Sequence, residues 1–571
     1  MSLCPSYRRT RRKEVILKML KSFLLSASLL TVSGLSLGSV SLWIVDPMVK
    51  VFKDTQPIIQ RKTIRLECAS NEYEPAQIAI RSDSSLQIYG VEFSDLVKGK
   101  EKIGKENFQY NFVGYVPIKK NTPFTPEEEL VRLAPCEIPD VLLPDKSIEI
   151  PANTTQPIWL TFFVPPGTKA GNYKGNVTVR TSQGDFSIDV FLRVFPFELP
   201  KKSHLWLTNW FNPWNISKFH KVEMWSDDFW RIVRKYARNM AEHRQNVIIT
   251  PVLSLTKITR TNGKLSFDFS LFDKWVEIFM EEGVIGRIEG GHLGGREGGA
   301  WEAKEFVLSG YTVLEDGKEK WVPEVKVSSK EAAEFLSQFL PALQKHLEEK
   351  GWLNIYMQHL ADEPIDINAE SYNQFASYVR KYAPKFRIIE ANQTMRIVGS
   401  IDIWVPILHE FHRYLDFYQH RPKKEEVWFY TCLAPTQKYP NRLLDYPLIK
   451  VRLLHWLNWL YNTQGFLHWG LNYWSDKPFE DLEPGGLPPG DCCIIYPGED
   501  APLNSIRWEM LRQGMEDYEY LWLLENLSGG REKGAEICRS FIRDIDDYEK
   551  NPRKLERARR SIAEEIVKLM K

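Results

Sequence analysis

The sequence predicts a multidomain protein of α/β plus all-β class, in which a (β/α)8 TIM-like barrel is preceded by a β-sandwich and followed by C-terminal helices. Three observations predict it. Residues 42–199 read as short strands divided by turn residues, residues 200–500 alternate apolar strands with helical patterns, and residues 501–571 carry helical patterns alone. Repeated strand–helix units of this kind match a closed parallel barrel. A doubly wound open sheet is the alternative; it needs fewer strands or a nucleotide loop, and the sequence has neither. A chain of 571 residues is long enough for such domains to hold their own cores.

Residues 1–41 stand apart as a signal peptide or membrane anchor. Arg8, Arg9, Arg11, Arg12, Lys13, Lys18 and Lys21 precede the apolar run Phe23–Val32, and small residues follow from Ser33 to Ser41. That is the order of a secretory signal. Ser36-Leu37-Gly38 and Ser39-Val40-Ser41 are the small-x-small cleavage candidates, and Met19 is an alternative start. The uncharged run Phe23–Val45 also has the length of a membrane span. Its serines and glycines favour cleavage, and with it an exported protein that is periplasmic, cell-surface or secreted.

In the sandwich the clearest hairpin joins Tyr173–Arg180 to Phe186–Val194 through Ser182-Gln183-Gly184-Asp185. Phe186, Ile188, Val190, Leu192 and Val194 alternate with polar residues, the mark of a half-buried antiparallel strand. Thr63–Cys68, Pro75–Arg81, Tyr110–Pro117 and Ile158–Val164 are further strands, and Pro196–Lys202 reads as the linker out of the domain.

The barrel strands are expected at Leu205–Trp210, Val247–Pro251, Ile285–Gly290, Ile355–Ala361, Arg387–Glu390, Ile401–Pro406, Val427–Tyr430 and Gly465–Trp469. Helices fall between most of them. Ser226–Glu242 presents Phe229, Ile232, Val233, Tyr236 and Met240 on one face; another helix opens with the capping box Ser328-x-x-Glu331; a third covers Ile449–Tyr461. Beyond Ser505, a candidate cap, Leu511, Met515, Tyr518 and Leu521 form an apolar stripe, which predicts a charge-rich helical cover packed on the barrel.

Composition narrows the function. Lys+Arg 75 against Asp+Glu 74 leaves no basic surplus for nucleic acid. Trp 19, Tyr 23 and Phe 30 give 13% aromatics, which fits sugar binding, because aromatic faces pack on the C–H faces of a pyranose. Seven scattered cysteines show no C-x-x-C spacing, so neither a metal nor a redox motif is expected, and the adjacent Cys492 and Cys493 are poorly placed to bond to each other. Gly290-Gly291-His292-Leu293-Gly294-Gly295 is neither a P-loop nor a dinucleotide fingerprint; its glycines are expected to let the loop approach a ligand. His409-Glu410-Phe411-His412 has the wrong spacing for a zincin.

Catalytic residues of a barrel sit where its strands end. The fourth strand ends in His359-Leu360-Ala361-Asp362-Glu363-Pro364, where the proline disfavours helix at Glu363 and Gln358 and His359 add polar groups to a strand that should be apolar. Other strand ends bring Trp210, Asn212 and Trp214, then Glu289, His292, Arg296 and Glu297, then Asn392-Gln393, Trp404 and His409, Tyr430, and His468-Trp469-Gly470-Leu471-Asn472-Tyr473-Trp474. Amides, carboxylates and aromatic rings converging on one face suit a neutral sugar.

These stretches resemble glycoside hydrolase family 123, the group of the bacterial β-N-acetylgalactosaminidases. The resemblance rests on Asn71-Glu72-Tyr73-Glu74-Pro75-Ala76-Gln77, Pro165-Pro166-Gly167-Thr168-Lys169-Ala170-Gly171-Asn172-Tyr173, His243-Arg244-Gln245-Asn246, Glu289-Gly290-Gly291-His292-Leu293-Gly294, His359–Pro364, Tyr496-Pro497-Gly498 and the segment Arg507–Tyr520. It implies a retaining exo-β-N-acetylhexosaminidase without a cofactor, in which the substrate's 2-acetamido group is the nucleophile. Asp362 would hold the acetamido N–H and the oxazolinium that forms, and Glu363 would be general acid and then base. Beside that pair, Trp404, Tyr430, Trp469 and Tyr473 are expected as sugar-ring walls and His292 and Asn392 as hydroxyl contacts. The partner is a glycan of a glycolipid, glycoprotein or polysaccharide; a membrane enters only through the N-terminal segment. Two rivals stand beside this reading. A glycosidase acting on a sugar without the acetamido group would need a second carboxylate, with Glu289 or Glu297 nearest, and a carbohydrate-binding protein would need no proton donor at all.

Overall fold

The structure is a computed structural model that describes residues 39–57 and 63–571. The expected signal or anchor therefore lies outside the described residues, except for its last three. Of these, Val40 and Ser41 already belong to a strand, Val40–Val45, and pair with Ser82 and Arg81. The end of the apolar run Phe23–Val45 is thus sheet. Among the described residues no helix is long and apolar enough to cross a membrane.

The β-domain is two packed sheets. One runs in the order Val40–Val45, Glu72–Ser82, Thr155–Val164, Phe108–Ile118, Cys136–Leu143. The other is built around the expected hairpin, Gly171–Thr181 with Gly184–Glu198, flanked by Thr63–Ser70 and Leu86–Phe93. Ile188, Val190, Leu192 and Val194 face a core shared with Ile78, Phe112, Ile158 and Val177, as the alternation requires. Thr63–Ser70 joins the hairpin in parallel, which the antiparallel pattern did not anticipate. The expected linker is also half strand: pairing continues to Glu198, Leu199 is buried, and its N–H reaches Ser70 O at 3.0 Å.

All eight barrel strands form: β1 (Trp206–Asn209), β2 (Val247–Thr250), β3 (Arg287–Gly290), β4 (Tyr356–Gln358), β5 (Arg387–Asn392), β6 (Ile403–Pro406), β7 (Glu426–Tyr430) and β8 (Gly465–His468). They pair in parallel in the order β1-β8-β7-β6-β5-β4-β3-β2. The seam between β1 and β2 is stitched by amide side chains. Asn246 Oδ1 accepts from Leu207 N at 2.8 Å, Asn246 Nδ2 donates to Leu205 O at 2.9 Å, and Gln245 Nε2 donates to Asn209 O at 3.1 Å. That accounts for two residues of the segment His243–Asn246.

Helices α1 (Asp227–Glu242), α2 (Lys330–Glu349), α3 (Ala369–Tyr382) and α4 (Ile449–Leu460) wrap the sheet. The cap of α2 is Ser329, whose Oγ accepts from Ala332 N at 3.1 Å; Ser328, the expected capping residue, donates to Glu305 at 3.1 Å instead. The barrel floor is an ion cluster. Arg287 of β3 grips Glu426 of β7 through two bonds of 2.7 and 2.8 Å, Arg387 of β5 adds a third at 2.5 Å, and Glu426 is held down to about 2, burial being outweighed by the two guanidinium groups.

The tail differs most from expectation. Helix α5 (Ile506–Ser528), capped by Ser505, is buried almost all round. Arg507 pairs with Asp140 of the sandwich at 2.8 Å, Asp517 with Arg452 of α4 at 2.6 Å, and Tyr520 donates to Glu72 at 2.7 Å. Helix α6 (Pro552–Leu569) brings Arg559 to Asp517 at 3.0 Å and into contact with Glu72 and Glu74. The charged residues that suggested a peripheral cover are cross-braces inside the molecule. Cys68, Cys136, Cys432, Cys492, Cys493 and Cys538 are free thiols, and the Sγ atoms of Cys492 and Cys493 lie 3.7 Å apart.

Candidate active site

The site is built upward from a buried charged layer inside the barrel. His359 is clamped between two carboxylates, donating from Nδ1 to Glu390 at 2.9 Å and from Nε2 to Glu289 at 2.8 Å. Burial lowers the affinity of His359 for its second proton, but the two carboxylates outweigh it and hold its pKa at about 10; in return Glu390, which burial would raise, is held at about 2. Glu289 accepts two more bonds, from Thr208 Oγ1 at 2.5 Å and Trp210 Nε1 at 2.8 Å. Glu390 also accepts from Tyr372 at 2.9 Å and from the backbone N–H groups of Leu360 at 3.0 Å and Ala361 at 3.2 Å.

Those last two bonds explain why β4 stops at Gln358, three residues before the expected end. Past that point a side-chain carboxylate replaces the ladder that β5 would supply, so the chain leaves the sheet and lifts the next two residues to the rim. Asp362 and Glu363 emerge there. Glu363 has a φ of +51°, an uncommon left-handed conformation for a residue with a Cβ, and its carbonyl accepts from Arg296 Nη2 at 2.6 Å. The two carboxyls have different surroundings. Asp362 is only partly exposed, with His292 Nε2 at 3.9 Å. The Glu363 carboxyl accepts from Gln393 Nε2 at 3.0 Å and from the Tyr430 hydroxyl. Loss of solvent raises both above the usual carboxylate range, and the charge of Asp362 raises Glu363 further. Of two adjacent carboxyls, an ionised one raises its neighbour, and here the charge of Asp362 favours the protonated form of Glu363.

His292 lies over the charged layer. Its Nε2 is buried without a hydrogen bond, 3.6 Å from Glu390, and its ring meets Trp210 edge-on at 5.2 Å. The donor atoms of His292, His359 and Glu390 lie within 4.8 Å of one another. A metal there would have to displace a carboxylate from His359, whose two nitrogens are both engaged.

The structure brings Asp362, Glu363, His292 and Tyr430 together. Tyr473 lies close enough for Asp362 and Glu289 to add to the burial that pushes its hydroxyl up to about 12. Trp469 stands beside Tyr473 with ring centroids 5.2 Å apart and donates to Asp491 at 3.2 Å. Asn392 and Trp404 are elsewhere. The Asn392 amide is buried, accepting from Val405 N at 3.1 Å and donating to Tyr418 at 3.3 Å. Trp404 packs outward on Phe417 and Arg421 and donates to Glu425 at 2.8 Å. Gln393, one residue past β5, takes the place expected for Asn392. The glycine run also has another use. A Cβ at Gly290 would strike the Tyr356 hydroxyl, one at Gly294 the Val307 carbonyl, and one at Gly291 would press on Pro251 and Thr250 at 3.2 Å, so these glycines let chain approach chain.

A sandwich followed by a parallel barrel, with paired carboxylates on the C-terminal rim and aromatic rings beside them, has the layout of a glycoside hydrolase. Residues 210–524 match the family model "Glycoside hydrolase 123, catalytic domain", and residues 48–181 match "Glycoside hydrolase 123 N-terminal domain". The chain belongs to glycoside hydrolase family 123. Among solved structures it is similar to a family 123 glycoside hydrolase from Clostridium perfringens whose structure details glycolipid glycan hydrolysis; identity is 18%, 93% of this chain and 97% of that one are covered, and the TM-score is 0.74. At that identity the likeness shows the shared fold. More distant matches are a GH39 enzyme from Xanthomonas axonopodis pv. citri, with 11% identity, coverage of 57% and 66% and a TM-score of 0.35, and an endo-β-1,4-mannanase from Thermotoga petrophila, with 10%, 56% and 77%, and 0.33. No curated protein matches the sequence.

Proposed function

We propose that the protein is a retaining exo-β-N-acetylhexosaminidase, with β-N-acetylgalactosamine as the terminal sugar, that uses the 2-acetamido group of its substrate as the nucleophile. The observation that carries this reading is the state of the carboxylates. Direct displacement needs a carboxylate free to attack the anomeric carbon. Glu289 is fully buried and accepts three hydrogen bonds, and Glu297 pairs with Lys326 at 3.2 Å on an outer hairpin. Asp362 and Glu363 remain, adjacent and differently placed. Asp362, ionised, accepts the acetamido N–H and faces the positive charge of the oxazolinium as the acetamido oxygen closes on the anomeric carbon. Glu363, protonated, gives its proton to the glycosidic oxygen and later takes one from the water that opens the ring. Tyr430 and Gln393 hold the Glu363 carboxyl in place for both steps. Trp469 and Tyr473 offer aromatic faces to the sugar. The Clostridium enzyme acts on glycolipid glycans, which supports a glycan substrate here, and the basic-then-apolar N-terminus supports export to where such glycans lie.

Hydrolysis of nitrophenyl β-N-acetylgalactosaminide tests the reading. Glu363→Gln and Asp362→Asn should each lower kcat/KM by about 10²–10⁴, and a thiazoline analogue of the oxazoline should inhibit the wild type. Activity confined to sugars without the acetamido group, or indifference to the thiazoline, would remove the mechanism.

A further inference from the structure

A four-stranded sheet stands against α2, outside the barrel wall, and takes no part in the steps above. Two of its strands, Lys257–Thr261 and Lys264–Asp268, come from the connection after β2; the other two, Tyr311–Glu315 and Lys318–Val322, come from the connection after β3. Apolar packing fixes its inner face. Ile258 and Val313 are buried, Tyr311 stacks on Phe335 of α2 at 4.3 Å, and Phe267 meets Phe339 edge-on at 5.3 Å. Alternation along the strands then turns Thr259, Ser266, Thr312 and Trp321 to the opposite, outer face. Trp321 is 67% exposed there, an uncommon placing for so large an apolar side chain. A Cβ at Gly310 would stand 2.4 Å from the indole, so the ring rests on bare backbone and leaves its far side to solvent.

The surroundings of the ring define what it can hold. Thr312 lies opposite Trp321, and the facing pair Thr259 and Ser266 carries hydroxyl side chains on across the sheet. The charges on this face cancel, Lys257 and Lys264 against Asp268 and Glu319. An open indole among hydroxyl groups, with no net charge, matches a neutral sugar chain: pyranose C–H groups pack on the ring and sugar hydroxyls exchange hydrogen bonds with the side chains. An anionic lipid or a nucleic acid would call for a basic surplus, and a protein partner for a wider apolar centre than one ring. We propose that this outer sheet face is a second carbohydrate-binding surface, on the flank of the barrel, that takes a neutral glycan chain. Holding one chain there raises the effective concentration of its neighbours at the catalytic mouth. The surface is independent of the roles given to Asp362 and Glu363, because its binding needs no turnover.

Native electrophoresis of the full-length protein through gels that contain desialylated, desulfated mucin, whose glycans are neutral, tests the surface. The wild type should be slowed. Trp321→Ala should weaken the apparent affinity roughly fivefold or more, with Trp321→Phe in between. Tm should stay the same, and hydrolysis of nitrophenyl β-N-acetylgalactosaminide should stay within about twofold, since that small substrate does not need the sheet. A wild type that is not slowed, a Trp321→Ala variant slowed as much as the wild type, or a retardation that high salt abolishes would each overturn the surface. So would a wild-type dimer that Trp321→Ala dissociates, which would make the face a contact between two copies of the chain. Trp321-dependent retardation in a wild type inert towards the glycoside would overturn the functional reading and leave the surface standing.

Discussion

At the scale of single residues, the Glu363 carboxyl is the point where structure and proposed chemistry meet. The Tyr430 hydroxyl donates to it, and a donor to a carboxylate favours the ionised form. Removing that donor in Tyr430→Phe should raise the Glu363 pKa, so the alkaline limb of the pH–rate profile should move up by about one unit, while kcat falls roughly tenfold through lost positioning. A limb that stays put would deny Glu363 the role of acid. That Asp362, Glu363 and Tyr430 lie at strand ends of one barrel was legible in the sequence because such ends can be read from hydrophobic pattern, but Tyr430, expected as a sugar-ring wall, is buried and donates its hydroxyl to Glu363 instead. Gln393 was not legible, since nothing local says which of two neighbouring amides is used inside the wall; its place just beyond β5 was the available signal. Trp404 misled for a related reason. It sits within β6 rather than at its end, and such a position faces the helices as readily as the mouth.

At the scale of elements, the layer of Glu289, His359 and Glu390 joins β3, the end of β4, and β5 beneath the rim. It replaces a stretch of β ladder with side-chain bonds, so its loss should be felt in both stability and activity. Glu390→Gln leaves His359 with one carboxylate and should cost about 3–5 kcal/mol, the usual penalty for halving a buried pair, measured by denaturant unfolding; activity should fall as the Leu360–Glu363 segment loosens. The pH dependence has a definite sign. The raised pKa of His359, about 10, contributes stability that is complete below about 6.5 and lost as pH rises through 10. The lowered pKa of Glu390, about 2, contributes stability that is present above its ordinary value and lost as pH falls through 2. The variant should therefore flatten the stability profile on both sides. The polar run Gln358-His359 announced that something unusual lay here, but the partners come from strands far off in the chain, and only folding reveals them. The β-hairpin of the sandwich, by contrast, was readable because alternation and turn residues are local.

At the scale of the molecule, the described residues from Val40 onward form one unit, and α5 is the reason. The segment Arg507–Tyr520 is rich in charge, which on its face means solvent, yet its residues are buried, some against the sandwich, as Arg507 on Asp140 and Tyr520 on Glu72, and others against the barrel, as Glu509 on His243 and Asp517 on Arg452. Pattern alone cannot distinguish a charged surface from a charged interface. Asp140→Ala should leave the Arg507 guanidinium buried without its carboxylate and destabilise the whole protein by about 3–5 kcal/mol, with sandwich and barrel melting together in a single calorimetric transition. Separate transitions would mean that the domains are independent. If they do melt as one, the sandwich cannot be exchanged for a different sugar-binding module or trimmed away to make a minimal catalyst. Shortening this enzyme by a cut at the domain boundary should strip these charges of their partners and bare the apolar surface that joins Val116, Ile138 and Val141 to the barrel core, so that both fragments should aggregate.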